Sequence, residues 1–256
     1  LGQNITAIEV NGTFDDCQSL VKQAFLDEEL NMRLTLTSAN SINVARFLPQ
    51  AFYYFHGFAQ LKRKRLADQL VVSVPSGNFG NLTAGLFGHS MGLPIKRFIA
   101  ANNSNDVFYQ FLKTGKYKPK PSVATIANAM DVGDTSNFAR ILEMYGNDVE
   151  KIRQLTTGAT HTYGQINEFI AQVYKTSAYT LDPHGACAYM GLEDSLQPGE
   201  TGLLLETAHP AKFPDAVESA TGNKVKVPAQ LQKFLSGTKE SIPMENDFDN
   251  FREYLL

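Results

Sequence analysis

The chain has 256 residues, 43% hydrophobic and 19% charged, with a formal net charge of -3 and the two signs interspersed. That length can bury a sizeable core, as one large domain or one and a half smaller ones. The charge pattern speaks against a nucleic-acid surface or a polybasic membrane patch, and no apolar run approaches a membrane span. The opening segment LGQNITAIEV has neither a basic start nor a signal-like core, so a cytoplasmic location and small-metabolite ligands are expected. Cys17 and Cys187 stand in no metal or redox spacing and are expected as buried thiols.

Ile5 to Val10 reads as a strand, Asp15 to Leu30 as a helix capped by Asp15 or Asp16, and Arg33 to Thr37 as a second strand. A long helix is expected over Ser41 to Leu66, with Ile42, Ala45, Leu48, Phe52 and Phe55 marking its buried side. The strand Leu70 to Val74, a helix from about Leu82 to Met91 stopped by Gly92 and Pro94, and the strand Lys96 to Ala101 follow. Such a βαβ series implies an α/β fold whose parallel, twisted sheet carries helices on both faces and ligands at the carboxyl ends of its strands. The basic, proline-rich Lys116 to Ser122 breaks the alternation. Beyond it Thr135 to Tyr145, Asp148 to Leu155 and Tyr163 to Thr176 are patterned as helices, and no strand stands out. The chain therefore divides into an α/β core over 1–115, a mainly helical insertion over 116–180, and a return to the core over 181–256. That last part holds a strand at Gly202 to Glu206 and helices from Pro210.

The run Leu70 to Gly85, LVVSVPSGNFGNLTAG, carries the most chemistry. An apolar strand ends at Pro75, the small-residue loop Ser76, Gly77, Asn78, Phe79, Gly80, Asn81 follows, and a helix starts behind it. Two glycines let the backbone turn its N–H groups inward, and the positive end of the helix points at the same place, so a phosphate is the natural guest. The loop lacks the Lys and Ser/Thr of the P-loop and the third glycine of the dinucleotide fingerprint. Its glycine count alone serves an ordinary strand-to-helix turn as well.

Three further clusters are polar, two of them where strands end. In Ser38 to Arg46, SANSINVAR, the residues Ser38, Asn40 and Ser41 suit helix capping, and Asn43 and Arg46 share a helix face. An Arg so early in a helix opposes the dipole unless an anion is present, and its guanidinium suits a two-pronged contact with phosphate or carboxylate. Plain capping with a surface salt bridge is the competing reading. Glu206 to Phe213, ETAHPAKF, would aim Thr207 at the same sheet edge as the glycine loop, and Asp182 to Ala186, DPHGA, lies shortly before it. His184 and His209 could serve as acid–base groups, but beside prolines in turns a structural role is favoured. His56, His89 and His161 form no zinc spacing.

Six blocks, EVNGTFDDCQ, SANSINVARFLPQAFYYF, VPSGNFGNLTAG, SVATIANAMDVGDTSNFARI, LDPHGA and ETAHPAKF, resemble threonine synthase in order and over nearly the whole chain. The resemblance implies a fold-type II enzyme dependent on pyridoxal 5'-phosphate, similar in architecture to the β subunit of tryptophan synthase. The implied activity is a carbon–oxygen lyase that converts O-phospho-L-homoserine and water to L-threonine and phosphate. It assigns Gly77, Asn78, Phe79, Gly80 and Asn81 to the cofactor phosphate and Thr207 to the pyridine nitrogen. Asn40 and Arg46 would hold the substrate's phosphate, supported by Ser41 and Asn43. The family's Schiff-base lysine lies in a Phe-Lys-Asp context that this sequence lacks, and Lys212 belongs to a different block. The chain is therefore expected to be the C-terminal portion, inactive alone, with the N-terminal half of the same enzyme as its partner and an open face where that half packs. Neither nucleic acid nor membrane is expected as a partner. Another fold-type II lyase, or a non-catalytic relative that binds a phosphorylated metabolite, would share most of these features.

Overall fold

The computed structural model describes residues 4–256. In chain order its elements are β1 (Ile8–Asn11), α1 (Phe14–Leu26), α2 (Glu28–Arg33), α3 (Val44–Phe47), α4 (Ala51–Arg63), β2 (Leu70–Pro75), α5 (Gly80–Ser90), β3 (Ile95–Asn102) and α6 (Val107–Thr114). Then come α7 (Phe138–Met144), α8 (Val149–Leu155), β4 (Thr156–Thr160), α9 (Tyr163–Ser177), α10 (Pro183–Ser195), β5 (Thr201–Leu204), α11 (Pro214–Thr221), α12 (Ala229–Leu235), β6 (Ile242–Glu245) and α13 (Phe248–Leu255). Short 3-10 turns stand at Leu48–Gln50, Asn128–Met130 and Pro210–Lys212.

Two compact units emerge, one of residues up to 38 together with 227–256, the other of 39–226. These limits fall elsewhere than the breaks after 115 and 180 that composition suggested. In the first unit β1 pairs in parallel with β6, Ile8 opposite Ile242. The cap of α1 is Thr13 instead of Asp15 or Asp16: its side chain accepts from the Asp16 N–H while the Asp16 carboxylate takes the Thr13 N–H at 2.7 Å, a reciprocal capping box. Asp27 ends that helix and caps α2, so the expected single helix to Leu30 is two. Arg252 ties α13 to Asp27 at 3.0 Å and to Glu29. In place of the expected strand Arg33 to Thr37, Arg33 closes α2 and the next four residues pair with no strand among the described residues.

The second unit is built on an all-parallel four-stranded sheet in the order β4-β3-β2-β5. β2 is buried along its whole length, which is why it reads as a continuous apolar run. Val72, Val74, Phe98 and Ala100 face one side, among Tyr54, Leu82, Leu86 and Phe108, while Val71 and Ile99 face the other with Ala159 and Leu192 of α10 on it. Helices cover both faces, as expected. The expected insertion, however, contributes β4 to this sheet. TTGAT carries too little apolar pattern to announce a strand, because a Cβ on Gly158 would stand 2.9 Å from the Tyr109 ring; small residues are needed where α6 packs.

The expected helix from Ser41 to Leu66 is interrupted by Pro49, which stands in a 3-10 turn between α3 and α4. The interruption rotates the pattern. Phe47, Ala51 and Tyr54 are buried, whereas Phe52 is 72% and Tyr53 66% exposed, so the side read as buried is largely open. Among the described residues no helix is long and apolar enough to cross a membrane.

Candidate cofactor site

β2 ends in the middle of the sheet, and the chain turns directly into α5 through residues 76–79. Ser76 is tied back to the neighbouring strand through its N–H to the Ala101 oxygen at 2.8 Å. Phe79, at φ +60°, takes the left-handed conformation that a residue with a Cβ rarely adopts. It is held there by its ring, which is buried against Phe108 at 4.5 Å. The two glycines serve close approach. A Cβ on Gly77 would stand 2.6 Å from the Ala129 oxygen, and one on Gly80 would stand 2.7 Å from the Ser41 Cβ. Side chains of the loop are spent on bracing: Asn81 donates to the Pro75 oxygen at 2.8 Å, and Asn78 accepts from the Ser136 N–H at 2.6 Å.

Its backbone amides stay open toward a cavity. Among the described residues the N–H groups of Gly77, Phe79, Gly80 and Asn81 donate to no protein acceptor. They border a cavity of about 240 Å3 that also holds Asn40, Ser41, Gln50, His184 and Thr207, and no carboxylate lines it. The Thr207 hydroxyl likewise has no protein partner among the described residues. Open amides beside a left-handed residue, with the first turn of an eleven-residue helix behind them, fit a phosphate group. A neutral hydroxyl across the same small cavity fits the far end of a compact phosphorylated ring.

A buried polar chain holds this cavity in shape. Asp182, fully buried, caps α10 and accepts from Nδ1–H of His184 at 2.7 Å. The other nitrogen of that ring, Nε2, accepts from the Ala129 N–H at 3.1 Å. Both ring nitrogens are thus committed, and His184 fixes the Asn128–Met130 turn on which Gly77 rests. That is the structural role favoured from its setting beside Pro183. His209 is also structural: Nδ1 accepts from the Ala211 N–H at 3.0 Å and caps the short turn after Thr207. Glu206 is exposed as a residue, yet its carboxylate lies directly over Gly185, whose missing Cβ would touch it. Local desolvation, and after it the adjacent Asp182, pushes the Glu206 pKa up to about 8, while the hydrogen bonds of His184 hold Asp182 low.

The residues matched to a substrate phosphate are only partly assembled here. Asn40 and Ser41 line the small cavity. Asn43 instead caps α3, accepting from the Ala45 N–H at 3.0 Å. Arg46 faces an adjoining, larger cavity of about 920 Å3, continuous with the first through Gln50, Asn81 and Thr207. α3 is a single turn, so the argument from an opposed dipole carries little; Arg46 is instead notable as an exposed guanidinium with no protein partner among the described residues. Sequence reasoning missed Gln50, Asn137 and Arg140. Asn137 is fully buried, donating to the Ser41 Oγ at 2.9 Å and the Asn78 oxygen at 2.8 Å, and Arg140 donates to the Ser41 oxygen at 2.9 Å.

The profile of the pyridoxal-phosphate dependent enzymes matches residues 1–208, the glycine loop and Thr207 included. The chain belongs to that family. Residues 185–255 further match the profile of the threonine synthase C-terminal region. Over all 256 residues the chain is 46% identical to threonine synthase of Haemophilus influenzae and 45% identical to that of Escherichia coli, covering 60% and 59% of those proteins. The crystal structure of the Escherichia coli threonine synthase superposes with a TM-score of 0.94 over 100% of this chain and 59% of its own. A pyridoxal-phosphate-bound threonine synthase from Brucella melitensis superposes with a TM-score of 0.85 at 33% identity, over 98% of this chain and 59% of its own. The chain thus spans about 60% of the length of the relatives it matches.

Proposed function

We propose that this chain is the C-terminal portion of a threonine synthase, in which it holds pyridoxal phosphate and presents O-phospho-L-homoserine for conversion with water to L-threonine and phosphate. The observation that carries the reading is the cavity where partnerless loop amides and the Thr207 hydroxyl meet without a carboxylate. Likeness to threonine synthases along the full chain supports the choice of reaction.

Pyridoxal phosphate, when bound, supplies the electron-withdrawing ring that makes the α and β protons of an amino-acid substrate acidic. The chain's own residues bind and orient. The amides of Gly77, Phe79, Gly80 and Asn81 hold the cofactor phosphate, with Asn78 bracing the loop through Ser136. Thr207 would offer the ring nitrogen a neutral hydroxyl, which would leave the ring less firmly protonated than a carboxylate partner and so tune its electron demand. Asn40, from the small cavity, and Arg46, from the adjoining one, would hold the phosphate of the substrate, with Ser41 in support. Asn43 supports them by fixing the turn that carries Arg46. On this reading the proton-moving lysine would belong to the part of its relatives' length that this chain does not match. Lys212 is exposed beside a short turn and is no substitute.

The test is the full-length protein. Phosphate release from O-phospho-L-homoserine is expected to require added pyridoxal phosphate, and Arg46→Ala is expected to raise the KM about tenfold, the worth of one charged hydrogen-bonded contact. No release of phosphate from that substrate would remove the assignment of the reaction. An unchanged KM in Arg46→Ala would remove Arg46 from the substrate site.

A further inference from the structure

Asn137 and Arg140 are both poorly chosen for the helix they begin. Asn137 occupies the N-cap of α7, where an Asn side chain ordinarily accepts a backbone N–H of the first turn, yet it makes no such bond. Arg140 stands in the first turn of the same helix, where a cation opposes the dipole. Local choices that contradict their own element mark residues committed elsewhere.

The commitment is visible. Arg140 donates through Nη1 to the Ser41 oxygen at 2.9 Å and to Asn137 Oδ1, and through Nη2 to the Ile42 oxygen, with its guanidinium 4.8 Å over the Phe47 ring. These two carbonyls belong to a bend that joins no sheet, so the arginine supplies donors the backbone needs. Asn137 gives one proton to the Ser41 Oγ and the other to the Asn78 oxygen. Asn78 reaches Ser41 as well, at 3.2 Å, and Gly80 leaves room for the Ser41 Cβ. Three segments distant in sequence, 40–43, 77–81 and 136–140, therefore meet at Ser41.

We propose that Asn137 and Arg140 are positioning residues that clamp the substrate-facing bend at 40–43 onto the cofactor-phosphate loop at 77–81, an inference that rests on the reading of those two segments given above. Arg140 holds the bend directly, through two successive carbonyls that only a planar fork can serve together, and reaches the loop only by way of Asn137 Oδ1. Asn137 acts on both segments. The two substitutions therefore separate substrate binding from cofactor binding.

In the full-length holoenzyme, Arg140→Lys is expected to weaken the binding of inorganic phosphate, read by calorimetry, about tenfold and to raise the KM for O-phospho-L-homoserine in step. Its kcat and its dissociation constant for pyridoxal phosphate are expected to stay within about twofold. Asn137→Ala is expected to weaken phosphate and pyridoxal phosphate alike, and it carries the test if Arg140→Lys folds poorly. A lowered Tm with all binding constants unchanged in both variants overturns the proposal and leaves a structural brace. Arg46→Ala with undiminished phosphate affinity removes instead the substrate reading of the bend, and the proposal with it. Weakened Arg46→Ala beside unaltered Arg140→Lys and Asn137→Ala overturns the positioning role alone.

Discussion

Single atoms decide the shape of the loop proposed to hold the cofactor phosphate. Gly77 has an ordinary φ, so an alanine is tolerated by its backbone, yet its Cβ would press on the Ala129 oxygen and the Met130 Cα. Neither atom is the tip of a flexible chain. Gly77→Ala is expected to cost about 1–3 kcal/mol of stability through overpacking and to weaken pyridoxal phosphate, measured by denaturant unfolding and fluorescence titration; unchanged affinity would show that the loop tolerates displacement. Glu206 makes a different prediction, on pH. Its folded pKa of about 8 stands above the ordinary 4.5, so the folded protein holds a proton there that the unfolded chain has released. Stability from this group is complete below about pH 4.5 and is lost as pH rises toward and through about 8. Glu206→Gln, which cannot ionise, is expected to flatten the fall of Tm over that interval; an identical slope in the variant would refute the assignment.

At the scale of elements, α4 positions the loop from outside. The Tyr54 hydroxyl, wholly buried, donates to the Asn81 oxygen at 2.7 Å, and its ring lies where Gly85 of α5 has no side chain. A Cβ there would stand 2.5 Å from the ring. Gly85→Ala is thus expected to lose about 1–3 kcal/mol, and Tyr54→Phe about 1 kcal/mol for its hydrogen bond, both read in urea. The elements also show how far patterning reaches. β2, α5 and β3 were legible because a doubly buried strand and an apolar helix advertise themselves. β4 was not, since close packing by α6 demanded small residues and erased the apolar signal. Pro49 was in plain view, but only the structure shows that it turns Phe52 and Tyr53 outward.

On the scale of the whole molecule, the open side of α4 and the edge strand β5 form one apolar face, with Phe52, Tyr53 and Leu203 lining the larger cavity. Among the described residues β5 pairs only with β2, and no strand lies on its other edge. Exposed apolar surface beside a free strand edge promotes association. The isolated chain is expected to self-associate with rising concentration in sedimentation, and Phe52→Glu to restore the monomer; a mass independent of concentration in the unaltered chain would contradict this. The same face adjoins the cavity lined by Arg46.

The sequence by itself determined the parallel α/β class, the strand-to-helix loop at 76–81, Thr207 as a partner at the same sheet edge, and the family, because these depend on local chemistry and on order along the chain. Tertiary structure alone decided that Phe79 and not a glycine takes the left-handed turn, that His184 braces the Ala129 N–H, that Arg46 faces the neighbouring cavity, and that Asn137 and Arg140 join segments 40–43 and 77–81. Each of these depends on which backbone atom a side chain meets from far away in sequence. Hydrogen-bond partners separated by nearly a hundred residues, such as Arg140 and Ser41, leave no periodic trace to read.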